Sequence, residues 1–316
     1  MNVNLIGALA LAPAVACTAP PTLEEPRTFL CGANLPWIGY GHDVGAAWGH
    51  DGVSTPATFE RARADLQALH DAGGNATRWF LFGDGRAIDA GTGLTPEAVA
   101  DLDALFQLAG EAQVQVVAVL FDFLMADEAR DVSGVTLGGR ADQLREPAAL
   151  IDGVVTPLAE RYGEEASLAA WEIINEPEWA IDDHQTIVAD PVSRDEMRAF
   201  VAQTAEALRA HSDKPITVGS AAPEDLAGWT DLGLELLQLH YYRAGALPDP
   251  PPSADGNGGA PVLLGETPSV GRDVAADLRD ARALGYAGAL PWSLNGEDDR
   301  TDRGATLAAL ASCPRP

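Results

Sequence analysis

The sequence predicts a (β/α)8 barrel, and three observations carry the prediction. Eight short apolar runs of strand length recur along the 316 residues. Helix-length stretches with recognisable start and stop signals separate several of them. The chain is long for one small domain yet within the range of a single barrel, and 47% hydrophobic residues suffice for a sizeable core.

The elements follow in order. A first strand is expected at 29–37. Thr55-Pro56 then places a capping residue before a proline at the first helical position, and Gly73-Gly74 stops that helix. A second strand at 76–82 is followed by Thr95-Pro96, which opens the next helix in the same way. Strands three and four are expected at 114–121 and 168–174. Ser193 with Glu196 forms a capping box ahead of Met197, Phe200, Val201 and Leu208 at helical spacing. Strand five falls at 216–220 and strand six at 234–241. The stretch 247–259, rich in proline and glycine, reads as a loop replacing a regular sixth helix. Strands at 262–265 and 287–292 complete eight, and the alternation favours a closed barrel over an open doubly wound sheet.

The first residues stand apart from the fold. Residues 5–16 form an apolar run of secretory length, too short for a permanent membrane span, ending in Ala14-Val15-Ala16-Cys17. This resembles a bacterial lipoprotein cleavage site with Cys17 as the lipidated residue, although Met1–Asn4 lacks the usual positive charge. The expected organisation is an export signal over 1–17, a proline-containing tether over 18–28 and the barrel over 29–316. Export implies a secreted or lipid-anchored protein at the bacterial surface or in the periplasm. Barrel closure makes the first strand and last helix neighbours, so Cys31 and Cys313 are a disulfide candidate in that oxidising compartment.

Charge narrows the partners. The chain carries 47 acidic and 20 basic side chains, a net −27. So acidic a body repels phosphate backbones and anionic headgroups, which argues against nucleic acid and leaves the lipid anchor as the expected membrane contact. The charge suits a neutral substrate, high solubility or a salty environment, and a monomer is expected.

Two glutamates close buried strands. Glu176 lies in Trp171-Glu172-Ile173-Ile174-Asn175-Glu176-Pro177, and Glu266 ends Val262-Leu263-Leu264-Gly265-Glu266. A carboxylate ending a buried strand is costly unless it has work to do. In a barrel both fall at the C-terminal rim, where active sites are built. Arg78, Asn175, His240, Tyr242 and Trp292 gather at the same strand ends.

This set resembles glycoside hydrolase clan A, most closely family 5, the cellulase and mannanase group. The resemblance covers about residues 30–312 and rests on Asn-Glu-Pro after strand four, His-x-Tyr after strand six, Glu after strand seven and Trp after strand eight. It implies a retaining hydrolase of β-linked glycans, of the β-1,4-mannan or β-1,4-glucan type. Glu176 would be the general acid/base and Glu266 the nucleophile, with carboxyl groups about 5–5.5 Å apart. Asn175 would bind the sugar 2-hydroxyl, Tyr242 and Arg78 would hold Glu266, and His240 would support the pair. Trp292 would be a platform for the sugar ring. Members of the family usually carry a histidine after strand three. Asp122 stands there instead and is expected to hydrogen-bond sugar in its place.

Other readings remain beside this one. Trp37, Trp48 and Trp179 are candidates for outer sugar subsites, with core packing as the alternative. Gly41-His42-Asp43 and Gly49-His50-Asp51 flank Trp48 and suggest a substrate loop more than a metal site. No metal or organic cofactor is expected. An inactive, carbohydrate-binding barrel and a metal-assisted barrel hydrolase are the competing functions.

Overall fold

A computed structural model describes residues 28–314 apart from 40–42, 46–50, 86–87, 89–92, 133–134, 250–258 and 297. The strands are β1 (Leu30–Asn34), β2 (Ala76–Phe80), β3 (Gln115–Asp122), β4 (Arg130–Val132), β5 (Val135–Leu137), β6 (Leu168–Asn175), β7 (Ile216–Ser220), β8 (Leu237–His240), β9 (Val262–Glu266) and β10 (Gly288–Ala289). Eight of them close a parallel barrel in the order β1-β10-β9-β8-β7-β6-β3-β2. The remaining two, β4 and β5, pair as an antiparallel hairpin after β3 that the sequence reading did not foresee.

Helices cover the barrel where their signals lie. Helix Pro56–Ala72 ends at Gly73, whose φ of 108° suits a residue without Cβ. Thr95 accepts from the Ala98 amide and starts Pro96–Ala112. Thr55 does not cap its helix in this way, because its hydroxyl donates to the Gly52 carbonyl. The capping box at Ser193 and Glu196 starts Arg194–Arg209. After β7 there is a 3-10 helix, Pro223–Trp229, in place of an α-helix. Between β8 and β9 no helix occurs among the described residues.

Several strands are shorter than expected. The eighth, expected at 287–292, has two ladder residues in β10. Pro291 has no N–H to donate, and the chain reaches Trp292 through a separate bridge to Pro268. The first stops at Asn34, before Pro36, and the sixth begins at Leu237, not 234.

Two layers of core result. A large shell joins the outer faces of the strands to the helices, as where Phe121 packs on Phe200. A small cluster of Ala76, Val117, Ala170, Leu236, Leu263 and Leu290 contains no helix residue and fills the barrel interior. Strand side chains alternate, so residues two positions on share that inward face. There the sequence places Arg78, Glu172, Gln238 and Trp292 in place of apolar side chains, all buried. The polar layer under the rim is thus built by strand periodicity. Where the chain closes on itself, Cys31 on β1 and Cys313 are joined by a disulfide with Cα atoms 5.7 Å apart.

Candidate active site

Glu176 leaves the end of β6 in a left-handed conformation, φ 42° and ψ 50°. For a residue with a Cβ this costs on the order of 1–3 kcal/mol, a strain typical of functional positions. Its amide donates to the Gly219 carbonyl at 2.7 Å, which holds the turn. Glu266 ends β9 in register with His240 at the end of β8. One oxygen of Glu176, one of Glu266 and a ring nitrogen of His240 lie within 4.8 Å of one another.

The two carboxyl groups have different surroundings. Glu266 Oε1 accepts from Arg78 at 2.5 Å and Oε2 from the Tyr242 hydroxyl at 2.6 Å. Such donors, one of them charged, suit the ionised form. Glu176 meets His240 Nδ1 at 2.8 Å and the Trp179 indole N–H at 3.1 Å. Burial raises its pKa to about 7, against the lowering charge of Arg78. Burial lowers His240 to about 4, so the ring is neutral near pH 7 and its contact with Glu176 is a hydrogen bond rather than an ion pair.

Asn175 is fixed on both sides. Its Oδ1 accepts from Arg78 at 2.7 Å and its Nδ2 donates to Asp122 at 2.8 Å. Asp122 Oδ1 also accepts from the Leu124 amide. Asp122, expected to bind sugar, therefore supports Asn175 as well as lining the cleft. Burial raises its pKa to about 7, with nearby Glu176 and Asp84 adding repulsion.

The cleft above the carboxylates is lined by Trp37, Phe80, Asp122, Asn175, Tyr242 and Trp292, among others. Trp37 and Trp292 meet edge to face with centroids 5.9 Å apart, and Trp292 donates its indole N–H to Asp298 at 2.7 Å. Trp179 is drawn in differently. It is half-buried beside Glu176 with an edge contact to His184. Trp48, His42, His50 and Cys17 lie outside the described residues. Asp43 is described: its carboxylate accepts from Ile38, Gly39 and the Trp79 indole, holding the loop that carries Trp37.

Two participants escaped the sequence reading. Glu172 is fully buried and pairs with Arg78 at 2.6 Å. Gly219 leaves the space beside it: a Cβ there would come within 2.4 Å of Glu172 Oε1 and 3.2 Å of His240 Nε2. The inward parity of Glu172 with Ala170 was the signal available.

Fold and site together define a (β/α)8 barrel with a strand-end carboxylate pair in an aromatic cleft. The comparisons agree with the fold. The endo-1,4-β-mannanase of Eisenia fetida superposes with a TM-score of 0.73 at 22% identity, covering 92% of each chain. The β-1,4-D-mannanase of Cryptopygus antarcticus gives 0.73 at 22% identity over 90% of each. In sequence, a mannan endo-1,4-β-mannosidase of Mytilus edulis is 28% identical over 160 residues, 48% of this chain and 41% of that protein. The match thus spans less than half of the mussel protein's length. No family model matches the chain.

Proposed function

We propose that this protein is a retaining β-glycoside hydrolase of the family 5 type, acting on β-1,4-mannan. The observation that carries the reading is the pair Glu176 and Glu266, brought to one rim in opposite environments. A retaining enzyme needs one carboxylate ionised and one protonated at the same pH, a few ångströms apart. Mannan is favoured over glucan by the similarity to the mussel mannanase.

Glu266, held in place by Arg78 and Tyr242, attacks the anomeric carbon. Glu176 gives its proton to the departing glycosidic oxygen, and a glycosyl ester forms on Glu266. The ester has no charge, so the repulsion that favoured the protonated form of Glu176 is gone. Glu176, now ionised, takes a proton from water as that water attacks the ester, which restores both groups. The Asn175 amide, held by Arg78 and Asp122, faces the sugar 2-hydroxyl, and Trp292 carries the ring.

A metal-assisted hydrolase is the competing reading, because Glu176, His240 and Glu266 present converging ligand atoms. The donor set argues against it. A cation bound by Glu266 would face the Arg78 guanidinium 2.5 Å from the same oxygen.

Export completes the proposal. The apolar run 5–16 before Cys17 supports delivery across the membrane over 1–17, with lipid attachment at Cys17 and the barrel released on the tether 18–28. The barrel is expected to act as a monomer.

The test is incubation with β-1,4-mannan, carboxymethylcellulose and xylan, followed by sizing of the products and NMR of the first anomer released. Short manno-oligosaccharides appearing as the β-anomer are expected. No hydrolysis of any of the three, or release of the α-anomer, would overturn the reading.

A further inference from the structure

Below the two reacting carboxylates lies a third acid that the double-displacement chemistry does not use. Glu172 sits on β6, one turn of the pleat deeper than the rim, with no exposed surface. It takes Arg78 in a fork: Nε to Oε2 at 2.6 Å and Nη2 to Oε1 at 2.6 Å. The other three N–H groups of the guanidinium go to Glu266 and Asn34 from Nη1, and to Asn175 from Nη2. All five donors of Arg78 are used.

The geometry has two consequences. A fork contact fixes the plane of a guanidinium where a single contact does not. The fork to Glu172 therefore decides where Nη1 and the second N–H of Nη2 point, and they point at Glu266 and Asn175. The second consequence is charge. One guanidinium faces two carboxylates, so with Glu176 protonated and His240 neutral the buried layer carries one net negative charge. The oxocarbenium-like transition state develops positive charge directly above it.

Resting on the reading that Glu176 and Glu266 are acid/base and nucleophile, we infer that Glu172 is a positioning residue: it aims Arg78 and offsets its charge, so that the cleft stays negative toward the transition state and Glu266 is not quenched as a nucleophile. Without that offset, Arg78 would hold Glu266 as its sole counter-charge. The repulsion of Glu172 on Glu176 acts in the same direction, since it adds to the rise in the Glu176 pKa.

Among the described residues, the other charged and titratable groups facing this layer are few. They are Asp122 at the end of β3, Asp84 after β2, Tyr242 after β8, and Arg300, which stands over the Tyr242 ring at 4.8 Å. Tyr242 stays protonated, because burial and Glu266 raise its pKa. Arg300 is exposed.

The experiment compares Glu172→Gln and Glu172→Asp with the unaltered enzyme, using a manno-oligosaccharide, whose leaving group is poor and needs the proton of Glu176, and kcat/KM against pH. Removing the charge stabilises the ionised forms of both Glu266 and Glu176. For Glu172→Gln, kcat is therefore expected to fall about tenfold or more with KM little changed, and both limbs of the profile to move to lower pH by about 0.5–1 unit. A merely structural role would not move the limbs. Glu172→Asp keeps the charge and is expected to keep both limbs in place while kcat falls through misalignment of the fork. If Glu172→Gln does not fold, Glu172→Asp decides alone: a fall in kcat with KM and both limbs unchanged supports the inference, and an unchanged kcat or shifted limbs overturn it. Limbs of folded Glu172→Gln that coincide with those of the unaltered enzyme overturn it as well. Glu176→Ala and Glu266→Ala measured alongside keep the two failures apart, because activity surviving in both would sink the glycosidase reading itself.

Discussion

His240 Nδ1 lies 2.8 Å from Glu176 Oε1, on a ring with no exposed surface. Because burial keeps that ring neutral, it can donate to Glu176 when the glutamate is ionised and accept from it when protonated. One neutral partner would thus serve both halves of the proposed double displacement.

The first prediction is the alkaline limb of activity. Glu176 acts as an acid only while protonated, and its pKa is raised to about 7 by burial. Hydrolysis is expected to decline as pH rises through about 7, measured as kcat/KM on a poor leaving group. A profile flat to pH 9 would count against Glu176 as the proton donor.

Kinetics should separate the two glutamates. Glu266→Ala removes the nucleophile, so turnover collapses whatever the leaving group. Glu176→Ala still forms the glycosyl ester from a dinitrophenyl substrate and then hydrolyses it slowly, giving a burst that azide shortens. Identical responses of both variants to leaving group and azide would show the roles wrongly assigned.

Stability should fall as pH rises from mildly acid values. Burial raises Glu176 to about 7, Glu178 to about 8, Asp122 to about 7 and Asp43 to about 6. The folded chain holds protons there that the unfolded chain has released, so the contribution is complete below about pH 4 and is lost up to about pH 8. His240 opposes this only at the acid end: its folded value of about 4 lies below the ordinary 6.5, so its contribution is full above that and fades as pH falls. Above pH 6.5 the carboxylates act alone. The thermal midpoint should drop by about 5 °C or more between pH 6.5 and 8, by calorimetry. A rise over that interval would contradict the burial of these groups.

The disulfide ties positions 282 residues apart and so constrains nearly the whole chain when unfolded. Replacing Cys31 and Cys313 with Ser together should lower stability by about 2–4 kcal/mol, seen as a fall of about 4–16 °C in the midpoint. Activity at 25 °C should be unchanged, since neither cysteine lines the cleft. An unchanged midpoint would show that the cross-link adds no stability.

Much of this was legible along the chain because it depends on near neighbours. The apolar runs, the Ser193 capping box and Gly73 are local signals, and each falls on the element it predicted. Departures occurred where a side-chain hydroxyl found another partner or a backbone donor was missing, although Thr55 does sit at the N-cap before Pro56. Thr55 bonds backward to Gly52, and Pro291 interrupts the last ladder, which periodicity alone does not register.

The sequence by itself determined the barrel, the rim, and the two glutamates placed on it, since strand parity and strand ends are properties of short windows. It could not say what each carboxylate faces. Glu172 and Arg78 are 94 residues apart and pair only because β2 and β6 point them into one interior. Asp122 meets Asn175 across 53 residues, and Trp179 turns toward Glu176 only through the left-handed turn after β6. Charge and proton affinity are set by desolvation and by partners brought from far along the chain, so only the closed barrel decided them.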